Sequence, residues 1–152
     1  MIYMLASLRS SCTPLVRIPL AHHLTHLAAP PVFAPSAHSR DHADLYSTYQ
    51  ELYRWPRVAE AGKKALGMRY RLLTYLYTSF WIAHNTGVPV MRPLWMNFPA
   101  DSKTHENVRQ FMVGDAVLVT PVLHQGADSV EGYLPAGTWH SLWDLQESIA
   151  VK

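Results

Sequence analysis

A run of apolar residues at three- and four-residue steps, closed by a turn from which no helix can continue, constrains this chain most. Val58, Ala61, Ala65, Leu66, Leu72, Leu73, Leu76, Tyr77 and Phe80 recur at the helical period and predict one broad apolar face. Pro56 suits the first turn, where its missing N–H would have no intrahelical acceptor. Arg57, Lys63, Lys64, Arg69 and Arg71 supply charge, mostly off the apolar face. Gly62 and Gly67 each cost about 1 kcal/mol relative to alanine in a helix interior, and so mark close packing or a break. Asn85-Thr86-Gly87 is the stop: Gly87 suits a left-handed position after the last turn, and Pro89 bars continuation.

Past Gly87 the apolar period shortens towards two. Val88–Trp95 is extended and carries Pro89 and Pro93, which fits a sheet edge or a connection. Gln110–Val113 and Ala116–Leu123 are β-branched and apolar, parted by Gly114-Asp115. Ser129–Leu134 and Thr138–Trp143 come after them, each behind a turn rich in Gly or Pro. Short strands between such turns are the signature of an antiparallel sandwich or barrel. A long helix ahead of them predicts two pieces of architecture.

The first forty residues differ in kind. They hold no Asp or Glu and no glycine, but five of the eleven prolines. Arg9, Arg17 and several serines without acids match an organellar transit peptide, or else a disordered leader. Met1–Ala6 is too short, and Pro14 and Pro19 too close, for a secretory signal. Thirteen basic against eleven acidic residues leave a charge of +2, too little to imply a nucleic-acid or membrane-surface partner. No apolar run approaches the ~18 residues of a membrane span. The single cysteine, Cys12, excludes an internal disulfide and a multi-cysteine zinc site.

Few residues offer chemistry. His22, His23 and His26 have metal-ligand spacing, but without the neighbouring Glu that zinc hydrolases use, and prolines flank them. A metal site is rejected. There is no Gly-x-Ser-x-Gly elbow and no Gly-rich phosphate loop. Tyr70, Tyr75, Tyr77, Phe80 and Trp81 lie at helical spacing, where aromatic side chains usually pack. Arg40-Asp41-His42 stands just ahead of the helix, where substrate-binding loops collect in a β/α barrel; alone, the triplet is weak, and a surface ion pair beside a histidine is its commoner explanation.

Longer blocks set that triplet in context. Ser39-Arg40-Asp41-His42, Gln50-Glu51-Leu52-Tyr53 and Lys64-Ala65-Leu66-Gly67-Met68-Arg69-Tyr70-Arg71-Leu72-Leu73 are succeeded by Tyr75-Leu76-Tyr77-Thr78 and Ala83-His84. Pro89-Val90-Met91-Arg92-Pro93-Leu94-Trp95, Phe98-Pro99 and Gln110-Phe111-Met112-Val113-Gly114 come next. Val119-Thr120-Pro121-Val122 and Tyr133-Leu134-Pro135-Ala136-Gly137-Thr138-Trp139 end the series. In order and spacing these blocks resemble glycoside hydrolase family 31, the α-glucosidase and α-xylosidase family, and among its members the plant-type and related eukaryotic enzymes.

That resemblance implies an α/β piece plus an all-β piece: the last βα unit of a (β/α)8 TIM barrel over residues 39–93, then an incomplete antiparallel β-sandwich over 94–152, with residues 1–38 an irregular leader. It implies a parent enzyme that hydrolyses terminal α-linked glucose or a related sugar with retention, using no metal or organic cofactor. It gives His42 a substrate-binding role, a hydrogen bond to a sugar hydroxyl, which an imidazole serves as donor and acceptor. Members often travel the secretory pathway, so the compartment stays open.

The same resemblance implies that the catalytic pair is missing. Retaining glycosidases need two carboxyl groups about 5 to 5.5 Å apart. The family's Trp-x-Asp-Met-Asn-Glu and Gly-Asp-Asn motifs do not occur here; Trp95-Met96-Asn97 and Gly114-Asp115 only mimic them. No catalytic residue is assigned, and the chain alone is expected to be inactive. Phe33–His38 does not match the family's aromatic-rich lead into the triplet, and Thr74 stands where many members have proline. The chain reaches Lys152 before a sandwich would be complete, so marginal stability and exposed sheet edges are expected. Two alternatives stay open. One is a stand-alone carbohydrate- or partner-binding module with Tyr133, Trp139 and Trp143 as stacking candidates, against their reading as core. The other is docking with a separately encoded N-terminal half of the barrel.

Overall fold

The computed structural model describes residues 2–7, 15–19, 45–46, 51–124, 127 and 129–151. Arg40, Asp41 and His42, the histidines at 22, 23 and 26, and Cys12 lie outside the described residues.

The predicted helix is two helices in tandem. α1 spans Pro56–Arg71 and α2 spans Leu73–Thr86. Pro56 opens α1 behind Trp55, which is extended at φ −115° and ψ 112°. The joint is the single residue Leu72 (φ −91°, ψ 3°), whose N–H reaches the carbonyls of both Met68 and Arg69 at 3.1 Å. The break therefore falls at neither glycine: Gly62 is buried, whereas Gly67 faces open space. It does fall two residues before Thr74, placing that residue in a first turn, where the proline of other members would also be tolerated. Gly87 ends α2 as predicted, left-handed at φ 75° with its N–H on the Ala83 carbonyl at 2.9 Å.

Beyond α2 come β3 (Met91–Pro93), the one-turn helix α3 (Leu94–Asn97), β4 (Phe111–Val113), β5 (Val117–Val119), β6 (Ser129–Tyr133), β7 (Gly137–Ser141) and β8 (Ser148–Val151). Neither α3 nor β8 is expected from the sequence pattern; β3, with Pro93, takes the edge position expected of it. Two more strands lie inside the stretch read as an irregular leader: β1 (Ile2–Ser7) and β2 (Leu15–Pro19). All pairings are antiparallel, in a six-stranded sheet ordered β3-β4-β5-β1-β7-β8 and a two-stranded sheet of β2 and β6.

The period-two pattern gives the larger sheet two apolar faces. Met112 lies opposite Leu118, and Val113 opposite Val117. Met112 and Leu118 join Leu94, Tyr133, Leu134, Trp139 and Val151 on one face. Val113, Val117 and Val119 join Val90, Leu142 and, from the helices, Met68 and Leu76 on the other, with Leu72, Tyr75 and Ala83 at the margin. Each such buried aliphatic side chain contributes roughly 1.5–3 kcal/mol. The helices therefore do find a partner within the chain, but for one stripe only. Tyr70, Leu73, Tyr77, Phe80 and Trp81 are exposed, Tyr77 by 79% and Trp81 by 64%. Of the five aromatic residues expected to pack, only Tyr75 does.

Candidate functional site

The sequence-derived sugar contact, His42, lies outside the described residues. Shortly after it in the chain comes a turn at Leu45-Tyr46, with both side chains exposed, and then a 3-10 turn at Leu52–Arg54 that feeds α1.

The two short motifs that mimic the family's catalytic signatures do come together, around Tyr75. The Tyr75 hydroxyl donates to the Val113 carbonyl at 2.7 Å and accepts from the Ala116 N–H at 3.1 Å. It thereby spans the β4–β5 turn, with the Asp115 carboxylate 3.4 Å away. Gly114, at the apex, is left-handed (φ 64°); its N–H donates to the Val90 carbonyl at 2.7 Å, and its carbonyl accepts from Asn97 Nδ2 at 3.1 Å. A Cβ on Gly114 would overlap the Tyr75 hydroxyl. Arg92 Nε donates to the Pro89 carbonyl at 2.7 Å, and its Nη1 reaches Asn97 Oδ1 at 3.5 Å. Burial raises the Tyr75 phenol above its ordinary pKa, reinforced by Asp115 and opposed by the Ala116 N–H. The cluster holds a single, exposed carboxylate. Its geometry clamps the helix to the hairpin; it does not form a carboxylate pair.

A second polar knot lies inside the sheet domain. Gln110 is buried; its Nε2 donates to Thr120 Oγ1 at 2.8 Å and to the Tyr133 carbonyl at 3.1 Å. Its Oε1 accepts from the Tyr133 N–H at 2.7 Å and from Asn107 Nδ2 at 2.8 Å. Beside it an open groove of about 340 Å³ runs along β3, with Trp95, Arg92 and His105 on its walls. The stacking candidates fare differently. Trp139 is fully buried, its indole N–H on the Pro135 carbonyl at 2.7 Å, and its ring 6.3 Å from that of Phe98. Tyr133 is buried, with its hydroxyl donating to Asp101. Only Trp143, 41% exposed, could meet a sugar. The core reading holds for the other two.

Sequence reasoning passed over Tyr75, Asn97 and Gln110 as polar anchors. Gly114 carried the available signal for Tyr75, since a tight turn with a glycine apex invites a close neighbour. Nothing local marks Gln110, whose partners are up to 23 residues away. Among the described residues, no group of three or more His, Cys, Asp or Glu is placed to hold a metal ion, and no helix is long and apolar enough to cross a membrane.

Comparison with known proteins decides the family. The model of the glycosyl hydrolases family 31 TIM-barrel domain matches residues 31–79, and that of the family 31 C-terminal domain matches residues 87–151. The chain belongs to glycosyl hydrolase family 31. It is 50% identical over 114 residues to a probable α-glucosidase of Oryza sativa, a match covering 75% of this chain and 13% of that protein. It is 45% identical over 114 residues to α-xylosidase 1 of Arabidopsis thaliana, covering 75% of this chain and 12% of the relative. A family 31 dextranase of Flavobacterium johnsoniae, solved in complex with glucose, superposes with a TM-score of 0.63 at 35% identity, covering 66% of this chain and 12% of that one. The chain thus spans about an eighth of the length of the family 31 proteins it matches.

Proposed function

We propose that this chain is a non-catalytic C-terminal part of a family 31 α-glycosidase, joining the last βα unit of the barrel (39–93) to the start of the proximal β-sandwich (94–152). The parent reaction is retaining hydrolysis of a terminal α-glucoside or related sugar. In that setting His42 hydrogen-bonds a sugar hydroxyl, and the catalytic carboxylates come from upstream sequence.

The observation that carries this reading is the exposed stripe of Tyr70, Leu73, Tyr77, Phe80 and Trp81 on helices whose other stripe is buried. A helix apolar on both sides is one made to be covered on both sides. In a complete TIM barrel, neighbouring helices and strands from the rest of the barrel supply that second cover.

The test is turnover. The purified chain should release no chromophore from an aryl α-glucoside or α-xyloside above the buffer rate, and enzyme-like hydrolysis would overturn the proposal. Co-expression with the upstream portion of the rice relative, ended where the match begins, should restore activity. In that complex His42→Ala should lower kcat/KM by about tenfold, the worth of a lost hydrogen bond.

A further inference from the structure

The six-stranded sheet contains a strand that does not come from either family-matched region. β5 and β7 both belong to the segment matched by the C-terminal domain, residues 87–151, yet they do not pair with each other. Between them sits β1, residues 2–7, from outside both matches. Ile2, Tyr3 and Met4 lie opposite Val119, Leu118 and Val117 of β5. On its other side Tyr3, Met4 and Leu5 lie opposite Ser141, His140 and Trp139 of β7, with a bulge before Ser7 meets Thr138.

We infer that the gap between β5 and β7 is a strand-binding slot, one strand wide and antiparallel to both walls, which this chain fills with its own residues 2–7. Neighbouring strands stand about 4.8 Å apart, so walls separated by one strand lie roughly 9.6 Å from each other and cannot bond directly. Val117, Leu118 and Val119 are all buried, as in a strand with neighbours on both sides. With β1 in place the edge of β5 away from β4 is paired, and without it the N–H and C=O groups there would lose those partners, which is costly wherever water does not replace them. Trp139 on the opposite wall is fully buried too. The slot's ligand is an extended peptide of about six residues: backbone hydrogen bonds supply the affinity and alternate side chains the specificity, as in other cases of strand addition. Without residues 2–7 the sheet would divide into β3-β4-β5 and β7-β8, leaving the slot open for that same segment to rebind. The inference is independent of the glycosidase reading.

Two experiments test it on the full chain. Hydrogen exchange of the unaltered protein should show the amides of residues 3–5 protected to within tenfold of those of 117–119 and 138–140. Exchange of residues 3–5 at unstructured-chain rates would overturn the slot filling, as would protection confined to a dimer in a concentration series, which would assign the strand to a second copy. In the second experiment Met4→Pro removes a ladder N–H and empties the slot. A labelled synthetic peptide of residues 1–9 should then bind this variant at least tenfold more tightly than the unaltered chain, by fluorescence anisotropy. A peptide carrying the same proline should bind neither. Equal binding to both chains, or none to either with residues 3–5 unprotected, would overturn the proposal. Should the variant fail to fold, the exchange measurement alone decides.

Discussion

The Tyr75 hydroxyl sits between the Val113 carbonyl, to which it donates at 2.7 Å, and the Ala116 N–H, from which it accepts at 3.1 Å. One side chain of α2 thus satisfies both strands of the β4–β5 turn and fixes where the helix meets the sheet. Tyr75→Phe removes both bonds and leaves two backbone groups short of partners, at a cost of about 1–3 kcal/mol. In a chain of this length that is a fall of roughly 2–4 °C in Tm per kcal/mol, read by circular dichroism. Gly114→Ala should cost more, because the new Cβ meets the hydroxyl and the backbone there is left-handed. The double variant should be less destabilised than the sum of the two, since removing the hydroxyl relieves part of the overlap; strict additivity would show that the two residues do not touch.

The same phenol predicts a pH dependence. Its pKa is raised from 10.0, chiefly by burial, so the folded state holds the proton more tightly than the unfolded chain. The sign comes from linkage: this contribution is fully present below about pH 10 and is lost as pH climbs through the folded-state pKa. Tm measured from about pH 8 to 11 should therefore drop at the alkaline end, and Tyr75→Phe should shallow the drop. An identical slope in both proteins would remove Tyr75 as its source.

Buried amide chemistry gives a third test. Gln110 serves both the N–H and the carbonyl of Tyr133, two buried groups with no solvent to replace it. Gln110→Ala should cost about 2–4 kcal/mol, because the desolvation of groups left unpaired is not recovered. Asn107→Ala, which removes one donor to the same Oε1 at a half-buried position, should cost less than half as much. Urea unfolding at fixed pH compares the two; equal effects would mean that the turn held by Asn107, not the bond to Tyr133, is what matters.

These anchors explain what could be read in advance. Gly87 and Pro93 declared their places because their backbone restrictions act locally, and the alternation of Met112, Val113, Val117 and Leu118 declared two faces because a strand's period is fixed. The joint at Leu72 carries no proline or glycine and is set by packing on either side, so it left no local mark. Strand β1 was illegible for another reason. It pairs because two distant edges stand one strand apart, a fact of topology that no window of sequence contains. The aromatic stripe misled in the opposite sense: helical spacing announces a face that wants cover, whether or not this chain supplies the cover. His42 was singled out through resemblance, since the triplet Arg40-Asp41-His42 taken alone reads more readily as a surface feature than as a sugar contact.

That uncovered stripe yields the last prediction. Tyr77, Phe80 and Trp81 are exposed neighbours on α2, whereas Leu76, adjoining them, is buried in the interface with the sheet. Replacing all three aromatics by serine should change the unfolding free energy by less than about 0.5 kcal/mol per site, the usual scale for surface positions. The unaltered chain is expected to scatter light in a concentration-dependent way through this exposed apolar patch, and the triple variant should not. Leu76→Ala should do the reverse, costing about 2–5 kcal/mol and leaving the scattering of the folded fraction unchanged. If the triple variant instead lost several kcal/mol, the three rings would be part of this chain's own core. The stripe would then no longer argue for the rest of a barrel as its cover.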